Sequence, residues 1–385
     1  MAEFRYKDRF SLGMVGGGQG AFIGDVHRVA ARIDYDYELV AGALSSNAER
    51  ALASARELGI SDERSYANFE SMAVAEAGRD DGIEAVSIVT PNHVHFPVAK
   101  AFLRAGIHVI CDKPLTITSD EARELVAAAE TAGKILAVTY NYSGYPMIRQ
   151  ARAMIAGGDL GAIRLVHAEY AQDWLADALE QTGNRQAAWR TDPAQAGGGG
   201  SIGDIGTHAY HLACFVTGLE LEALCADLTT FVAGRKLDDN AALLLRFRGG
   251  AKGMLWASQI AVGNENNLTL RVYGEKGGLS WRQEAPNELW FTPLGQAPRK
   301  LTRGGSAALP DAARVTRIPG GHPEGYLEAF ASIYTEVSRA IRAYRAGKPV
   351  AGEVLFPVGS DGLHGVAFVE AAVRSSDSGA TWVSV

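Results

Sequence analysis

Val15-Gly16-Gly17-Gly18-Gln19-Gly20-Ala21-Phe22-Ile23-Gly24 is the stretch on which the fold turns. The apolar run Phe10 to Val15 reads as a strand ending in these glycines, and Gly24 to Arg32 reads as the helix that follows. A glycine turn between strand and helix lets backbone approach a pyrophosphate, whose charge then meets unpaired N–H groups at the helix start. Gly16, Gly18 and Ala21 fit G-x-G-x-x-G/A as written. Alternatively Gly24 is the third glycine and three residues, Gly20-Ala21-Phe22, are inserted. Gln19, Phe22 and Ile23 belong to the same candidate cofactor loop.

Outward from this turn, strand and helix signals alternate. Tyr37 to Leu44 reads as a strand and Asn47 to Leu58 as an Ala-rich helix. Ala85 to Val89 and Ile107 to Cys111 are near-continuous apolar runs, the pattern of strands buried on both faces. His95 to Ala105 and Ser119 to Ala132 read as helices, the second with Ser119 as N-cap and Gly133 as its stop. Ile135 to Thr139 is the next strand. Repeated βα units predict an α/β fold whose N-terminal domain, residues 1–140, is a Rossmann-type doubly wound parallel sheet.

After Tyr140 the pattern changes. Pro146 to Ala156 is helical, then Arg164 to Tyr170, Ala241 to Arg248, Lys252 to Gln259 and Asn267 to Tyr273 alternate apolar and polar residues. That predicts a large, open, mostly antiparallel sheet with one buried face in a second α/β domain, residues 141–385. Pro323 to Ala346 and Ser360 to Ser375 read as helices, and Gln296 to Gly321 as a surface excursion.

Three further stretches carry chemistry. Thr90-Pro91-Asn92-His93-Val94-His95 follows a strand at its C-terminal end, where doubly wound sheets bind ligands; Asn92 and His95 offer hydrogen bonds to a ribose or amide. Asp112-Lys113-Pro114 follows the next strand, and partial desolvation there suits Lys113 to proton chemistry. Pro114 pushes Lys113 towards an extended backbone. In Gly197-Gly-Gly-Gly-Ser201-Ile-Gly-Asp204-Ile-Gly-Thr-His208 a helix begins, and Asp204 and His208 share one face at i, i+4. The spacing also suits two metal ligands, but no further ligand cluster accompanies them, so no metal is expected.

A ribose-reading residue stands about 20 positions beyond the third glycine. Counted from Gly24, this is Ser45, followed by Ser46 and Asn47, with Arg50 the nearest cation. Neither a carboxylate nor an arginine decides the 2′ group, so use of NAD or NADP is expected, with a lean to NAD.

The 385 residues suit two or three domains at about 150 each, and 47% hydrophobic with 21% charged residues is ordinary globular usage. A formal charge of −7 gives no footprint for a phosphate backbone, which argues against nucleic acid. No apolar run is long enough to span a membrane. Charged residues from Met1 to Phe10 and three cysteines, Cys111, Cys214 and Cys225, without C-x-x-C spacing suggest a cytoplasmic protein with no zinc site.

The glycine loop, Thr-Pro-Asn-x-x-His, Asp-Lys-Pro and Gly-Gly-Gly-Ser-x-x-Asp-x-Gly-x-His, in this order, resemble the glucose–fructose oxidoreductase / inositol dehydrogenase / rhizopine catabolism (Gfo/Idh/MocA) family over nearly the whole chain. The resemblance implies an interdomain site and a C-terminal sheet that makes a homo-oligomer, dimer or tetramer. It implies that Lys113 and His208 carry acid–base chemistry, with Asp204 beside them, and that Thr90, Pro91, Asn92, His95, Asp112 and Lys113 lie on the cofactor side. Trp189 and Arg190 match the segment before the glycine run. The family's Asn-Tyr-Arg is Asn141-Tyr142-Ser143 here, so an arginine contact is missing. Tyr142, Trp174, Arg190 and His322 are further substrate candidates alongside Lys113, Asp204 and His208.

These readings converge on an NAD(P)-dependent dehydrogenase that oxidises a ring hydroxyl of a cyclitol or sugar. Its rivals are an NAD-retaining glycosidase on the same scaffold and a non-catalytic nucleotide- or sugar-sensing regulator. A regulator would need neither Lys113 nor His208.

Overall fold

The computed structural model describes residues 9–385, so the charged stretch before Arg9 lies outside the described residues. Two compact units form. The first takes residues up to Thr116, Asp120–Asn141 and Tyr326–Leu363; the second takes Ile117–Ser119, Tyr142–Gly325 and His364–Val385. Where the sequence suggests one cut after residue 140, the first unit thus also takes a late segment.

In the first unit, β1 (Phe10–Gly16), β2 (Tyr37–Ala43), β3 (Ala85–Val89), β4 (His108–Cys111) and β5 (Leu136–Val138) form a parallel sheet in the order β2-β1-β3-β4-β5. Every residue of β3 and β4 is buried, as strands covered on both faces require. The strand order reverses between β1 and β3, and the crevice beyond the C-terminal ends at such a point is where these sheets bind ligands. The helices are α1 (Phe22–Ile33), α2 (Ala48–Glu57), α3 (Phe69–Ala77), α4 (Asn92–Arg104) and α5 (Ser119–Ala132). One core holds Val86, Ile88, Phe102, Val109 and Leu125. A second core joins Phe10, Leu12, Val26 and Tyr37 to Phe330, Tyr334, Val337 and Ile341 of the helix Tyr326–Arg345.

Several boundaries differ from the sequence reading. Helix α3 has little amphipathic pattern, which hid it, although Asn68 caps it by accepting from the Ser71 N–H at 2.8 Å. Helix α4 starts at Asn92, directly after Pro91, because a helix start needs no N–H at that position. Ser119 is the first residue of α5, and its hydroxyl donates to Glu370 Oε2 at 2.6 Å.

In the second unit nine strands form one sheet in the order β13-β12-β11-β10-β6-β9-β8-β7-β14. They are β6 (Ile163–Ala171), β7 (Leu221–Thr229), β8 (Asn240–Phe247), β9 (Lys252–Ser258), β10 (Asn267–Gly274), β11 (Gly277–Arg282), β12 (Glu288–Pro293), β13 (Arg299–Thr302) and β14 (Val383–Ser384). All pairings are antiparallel except β6 with β9. Ala241, Leu243, Leu245 and Phe247 of β8 point to the core, and the intervening residues point out. The helix Thr207–Thr217 buries Ala209, Leu212, Ala213 and Val216. The expected surface excursion from Gln296 to Gly321 is partly structural: β13 adds an edge strand, and Arg303 is buried against Glu324 at 2.9 Å. A buried ion pair hides in composition, because only its partner makes an arginine tolerable inside.

Candidate active site

In the first unit, β1 runs into Gly16 and Gly17, both with positive φ (81° and 72°). A Cβ on Gly18 would lie 2.6 Å from the Leu44 carbonyl oxygen, to which the Gly18 N–H donates at 3.1 Å. This pins the loop against the end of β2. A Cβ on Gly24 would lie within 2.6 Å of Gly17 backbone, so Gly24 performs the close helix-to-loop packing of the third glycine. Of the two registers, the longer one matches the packing. The guanidinium of Arg28 donates to the Gly17 carbonyl at 2.5 Å. The Gln19 N–H donates to Ser54 Oγ at 3.1 Å and its side chain to Glu57 at 2.9 Å. Ala21 precedes α1 with no side-chain cap, and Phe22 stands 67% exposed at the helix start.

Around this loop lie the other strand ends. Ser45 is half-buried, with Ser46 and Arg50 exposed, and its Oγ accepts from the Asn47 N–H at 3.1 Å. Thr90 Oγ1 and Asn141 Nδ2, which follow β3 and β5, are buried without a hydrogen-bond partner. An uncapped helix start behind a glycine cradle, with two unsatisfied polar atoms at neighbouring strand ends, fits a dinucleotide. These same atoms would hold it, with Ser45 towards the ribose.

Two expected cofactor contacts behave differently. His95 is buried with Nδ1 2.7 Å from the Pro114 carbonyl and Nε2 2.9 Å from the Thr90 carbonyl. Both ring nitrogens face main-chain carbonyls, and burial lowers His95 below its ordinary value, so the neutral ring donates to one of the two and packs between these turns instead of offering a bond to a ribose. Asp112 turns inward: its Oδ1 accepts from the Lys113 N–H at 2.9 Å and from the Thr139 hydroxyl at 2.7 Å. Burial alone would raise the Asp112 carboxyl, but His27, Thr139 and Lys113 outweigh it and hold it well below the usual carboxylate range. Lys113 is half-buried at the end of β4, and Asn92 is buried in the first turn of α4.

In the second unit, Asp204 lies in a π-helical turn, Ile202–Gly206, that leads into the helix Thr207–Thr217. Such wide turns recur at functional sites. Buried Asp238 fixes the start of this segment, accepting from Gly200 N–H at 2.6 Å, Ser201 Oγ at 2.7 Å and Ile202 N–H at 2.9 Å. Burial still raises its carboxyl above the ordinary value despite these donors. Asp204 Oδ2 accepts from Gln259 at 2.9 Å and faces Arg190 at 3.2 Å. The Arg190 guanidinium lies 4.2 Å from the Trp189 ring centroid and 5.9 Å from that of Trp174. Buried His208 meets the Tyr142 ring edge-on at 4.9 Å. Trp174 donates to Gln172 at 3.1 Å, and Gln172 and Tyr170 both donate to Asn266 Oδ1 at 2.7 Å. The Tyr170 and Tyr142 hydroxyls bond each other. Burial raises the Tyr142 hydroxyl above its ordinary value.

Tyr142, Trp174, Trp189, Arg190, Asp204 and His208 are therefore brought together. His322 is exposed, with its carbonyl held by Arg303, and among the described contacts none joins its imidazole to this cluster. Sequence reasoning missed Tyr170, Gln172, Asp238, Gln259 and Asn266. All five are at strand ends or in the loops adjoining them, a position visible only once strand lengths are known. The adjacent carboxylates Asp238-Asp239 after Leu237 were a signal that could have been read. Among the described residues, no cluster of three or more His, Cys, Asp or Glu is placed to hold a metal, and no helix is long and apolar enough to cross a membrane.

Comparison with known proteins places these features. Residues 10–140 match the oxidoreductase family with an NAD-binding Rossmann fold, and residues 148–280 match the GFO/IDH/MocA C-terminal domain. An oxidoreductase from Sinorhizobium meliloti is 56% identical over 98% of this chain and 100% of its own, with a TM-score of 0.89. An inositol dehydrogenase homologue from Azotobacter vinelandii is 38% identical in complex with NAD+ (TM-score 0.96, 100% of both chains). It is 37% identical in complex with NADH and myo-inositol (TM-score 0.92, 99% of both chains). Levoglucosan dehydrogenase of Pseudarthrobacter phenanthrenivorans is 29% identical over 97% of this chain and 98% of its own. With a parallel nucleotide-binding sheet, a mostly antiparallel second sheet and both family regions matched in order, the chain belongs to the Gfo/Idh/MocA family of NAD-binding oxidoreductases.

Proposed function

We propose that this oxidoreductase removes hydride and a proton from a ring hydroxyl of a cyclitol or sugar, using Lys113, Asp204 and His208. The observation that carries the reading is the fixed carboxylate of Asp204, held by Gln259 and Arg190 one helical turn from His208, among Trp174, Gln172 and Tyr142. Aromatic faces with a few convergent polar groups suit a ring bearing several hydroxyls. The inositol dehydrogenase homologue bound to myo-inositol and the levoglucosan dehydrogenase support the same substrate class.

A bound nicotinamide supplies the hydride acceptor at its C4. His208 Nδ1 is sealed from solvent, so Nε2 takes the hydroxyl proton as general base. Lys113 Nζ donates to the same oxygen and favours the negative charge that develops there. Asp204 orients the imidazole or accepts from a neighbouring hydroxyl. The neutral Ser45 and Ser46 favour modest discrimination between NAD and NADP.

The test is a panel of inositols, aldoses and aryl glycosides with NAD+ and with NADP+, followed by absorbance of the reduced nicotinamide. Reduced nicotinamide from a polyol supports the reading. Glycoside cleavage without net reduction would replace it by the glycosidase.

The outer face of the second sheet supports self-association. Leu244, Met254 and Trp256 are 48, 52 and 37% exposed on neighbouring strands, beside a groove of about 430 Å³ that also touches Cys225. So contiguous an apolar patch on a sheet face suits a second copy of the chain. Light scattering on the wild type and on Leu244→Glu/Met254→Glu checks this: an oligomer that becomes a monomer is expected. Cytoplasmic residence remains part of the same proposal.

A further inference from the structure

His27 of α1 is fully buried, and nothing in the proposed chemistry uses it. Its Nδ1 lies 2.8 Å from the Tyr334 hydroxyl and 3.2 Å from the Ser87 hydroxyl, and these two hydroxyls are 2.8 Å apart. Its Nε2 lies 3.9 Å from Asp112 Oδ1, too far for a hydrogen bond but close for a charge and a dipole in a buried setting. The carboxylate selects the tautomer. An Nε2 lone pair aimed at Asp112 would be repelled, so the N–H sits on Nε2 and Nδ1 accepts from a hydroxyl. Burial pushes the Tyr334 hydroxyl well above its ordinary value, which keeps it a donor.

The same Asp112 oxygen accepts the Lys113 N–H. On the other side of Lys113, the Pro114 carbonyl meets His95. The lysine's main chain is thus bracketed by two buried histidines. The next residue of α1 after His27 is Arg28, which holds the Gly17 carbonyl of the glycine loop. One turn of one helix reaches both the nucleotide loop and, through Asp112, the lysine.

We propose that His27 is a positioning residue that, by holding Asp112, fixes the backbone at Lys113 and so the point from which the lysine side chain projects. The inference rests on the reading of Lys113 given above. It needs a test that fails separately from that reading.

Hydrogen exchange on the full ligand-free chain supplies one, because it needs no substrate. His27→Phe keeps a ring and removes both nitrogens. Exchange of the Lys113 amide, read in a peptide spanning Asp112 to Leu115, is expected to quicken at least tenfold. Peptides from α2 and from Thr207–Thr217 should be unchanged. His27→Gln, whose amide can accept from Tyr334 and donate to Asp112, should restore most of the protection. In turnover assays kcat should fall about tenfold, with the KM for nucleotide within twofold. If His27→Phe does not fold, Tyr334→Phe is measured in its place, and faster exchange is again expected. Wild-type exchange at Lys113 in the folded variant overturns the proposal. Lys113→Met separates the two ideas: normal turnover in that variant removes the catalytic reading of the lysine, whatever the exchange shows.

Discussion

Gly24 and Gly17 meet backbone to backbone: a Cβ on Gly24 would lie 2.5 Å from the Gly17 Cα and 2.6 Å from its carbonyl oxygen. Neither atom can yield as a flexible side chain would. Gly24→Ala should therefore push the loop outwards and weaken nucleotide binding about tenfold or more, because the cradle must match the pyrophosphate closely. Titration of NADH fluorescence checks this. Wild-type affinity would show that α1 slides to make room.

Ser45→Asp should sharpen cofactor choice. A carboxylate accepts well from ribose hydroxyls and repels a 2′-phosphate in a partly desolvated contact. The ratio of kcat/KM for NAD+ over NADP+ should rise by about tenfold or more. If NADP+ use is untouched, the Ser45 side chain does not face the ribose, although Gly24 serves as the third glycine.

His208→Ala should cut turnover by about 10²–10⁴ and flatten the acidic limb of the pH–rate profile, since a free base is no longer required. Rates over a pH series on the best polyol provide the measurement. A preserved limb would transfer the proton to another group, Asp204 first.

Stability should have its own pH dependence. Burial, with help from the charge of Lys134, pushes His108 from its ordinary 6.5 down to about 4. Above pH 6.5 the imidazole is neutral in folded and unfolded chains alike, and it contributes no slope. As pH falls below 6.5 the unfolded chain takes up a proton that the fold refuses, so stability drops, by about 3 kcal/mol once pH 4 is reached. Denaturant melts between pH 4 and 7 should show His108→Gln with a shallower slope than the wild type. Parallel slopes would mean that His108 is accessible to protons in the fold.

How much of this was legible in the sequence depends on the range over which each signal acts. The glycine loop and the apolar runs of β3 and β4 are local and survive translation into structure, whereas the helix expected to carry both Asp204 and His208 begins as a π-helical turn at Asp204. His95 misleads because its surroundings are not local: the Pro114 carbonyl that engages it lies 19 positions away. Gln172 and Asn266 bond across 94 positions, and no pattern in one segment announces a partner in the other. The same holds for His27 and Tyr334, 307 positions apart. Strands β11 to β13 were missed for a different reason: they are short, with glycine, proline or charged residues at their ends, and β13 is an edge strand paired on one side only.

The helix Tyr326–Arg345 gives the order of synthesis a role. Phe330, Tyr334, Val337 and Ile341 complete the core begun by Phe10, Leu12 and Tyr37. At roughly 5–20 residues per second, the ribosome adds that helix on the order of 15–60 seconds after β1. Until then the nucleotide-binding sheet carries an uncovered apolar face. A fragment ending near residue 140 should accordingly be sticky and incompletely folded. Transplanting this nucleotide-binding module into another protein would require carrying the late helix with it.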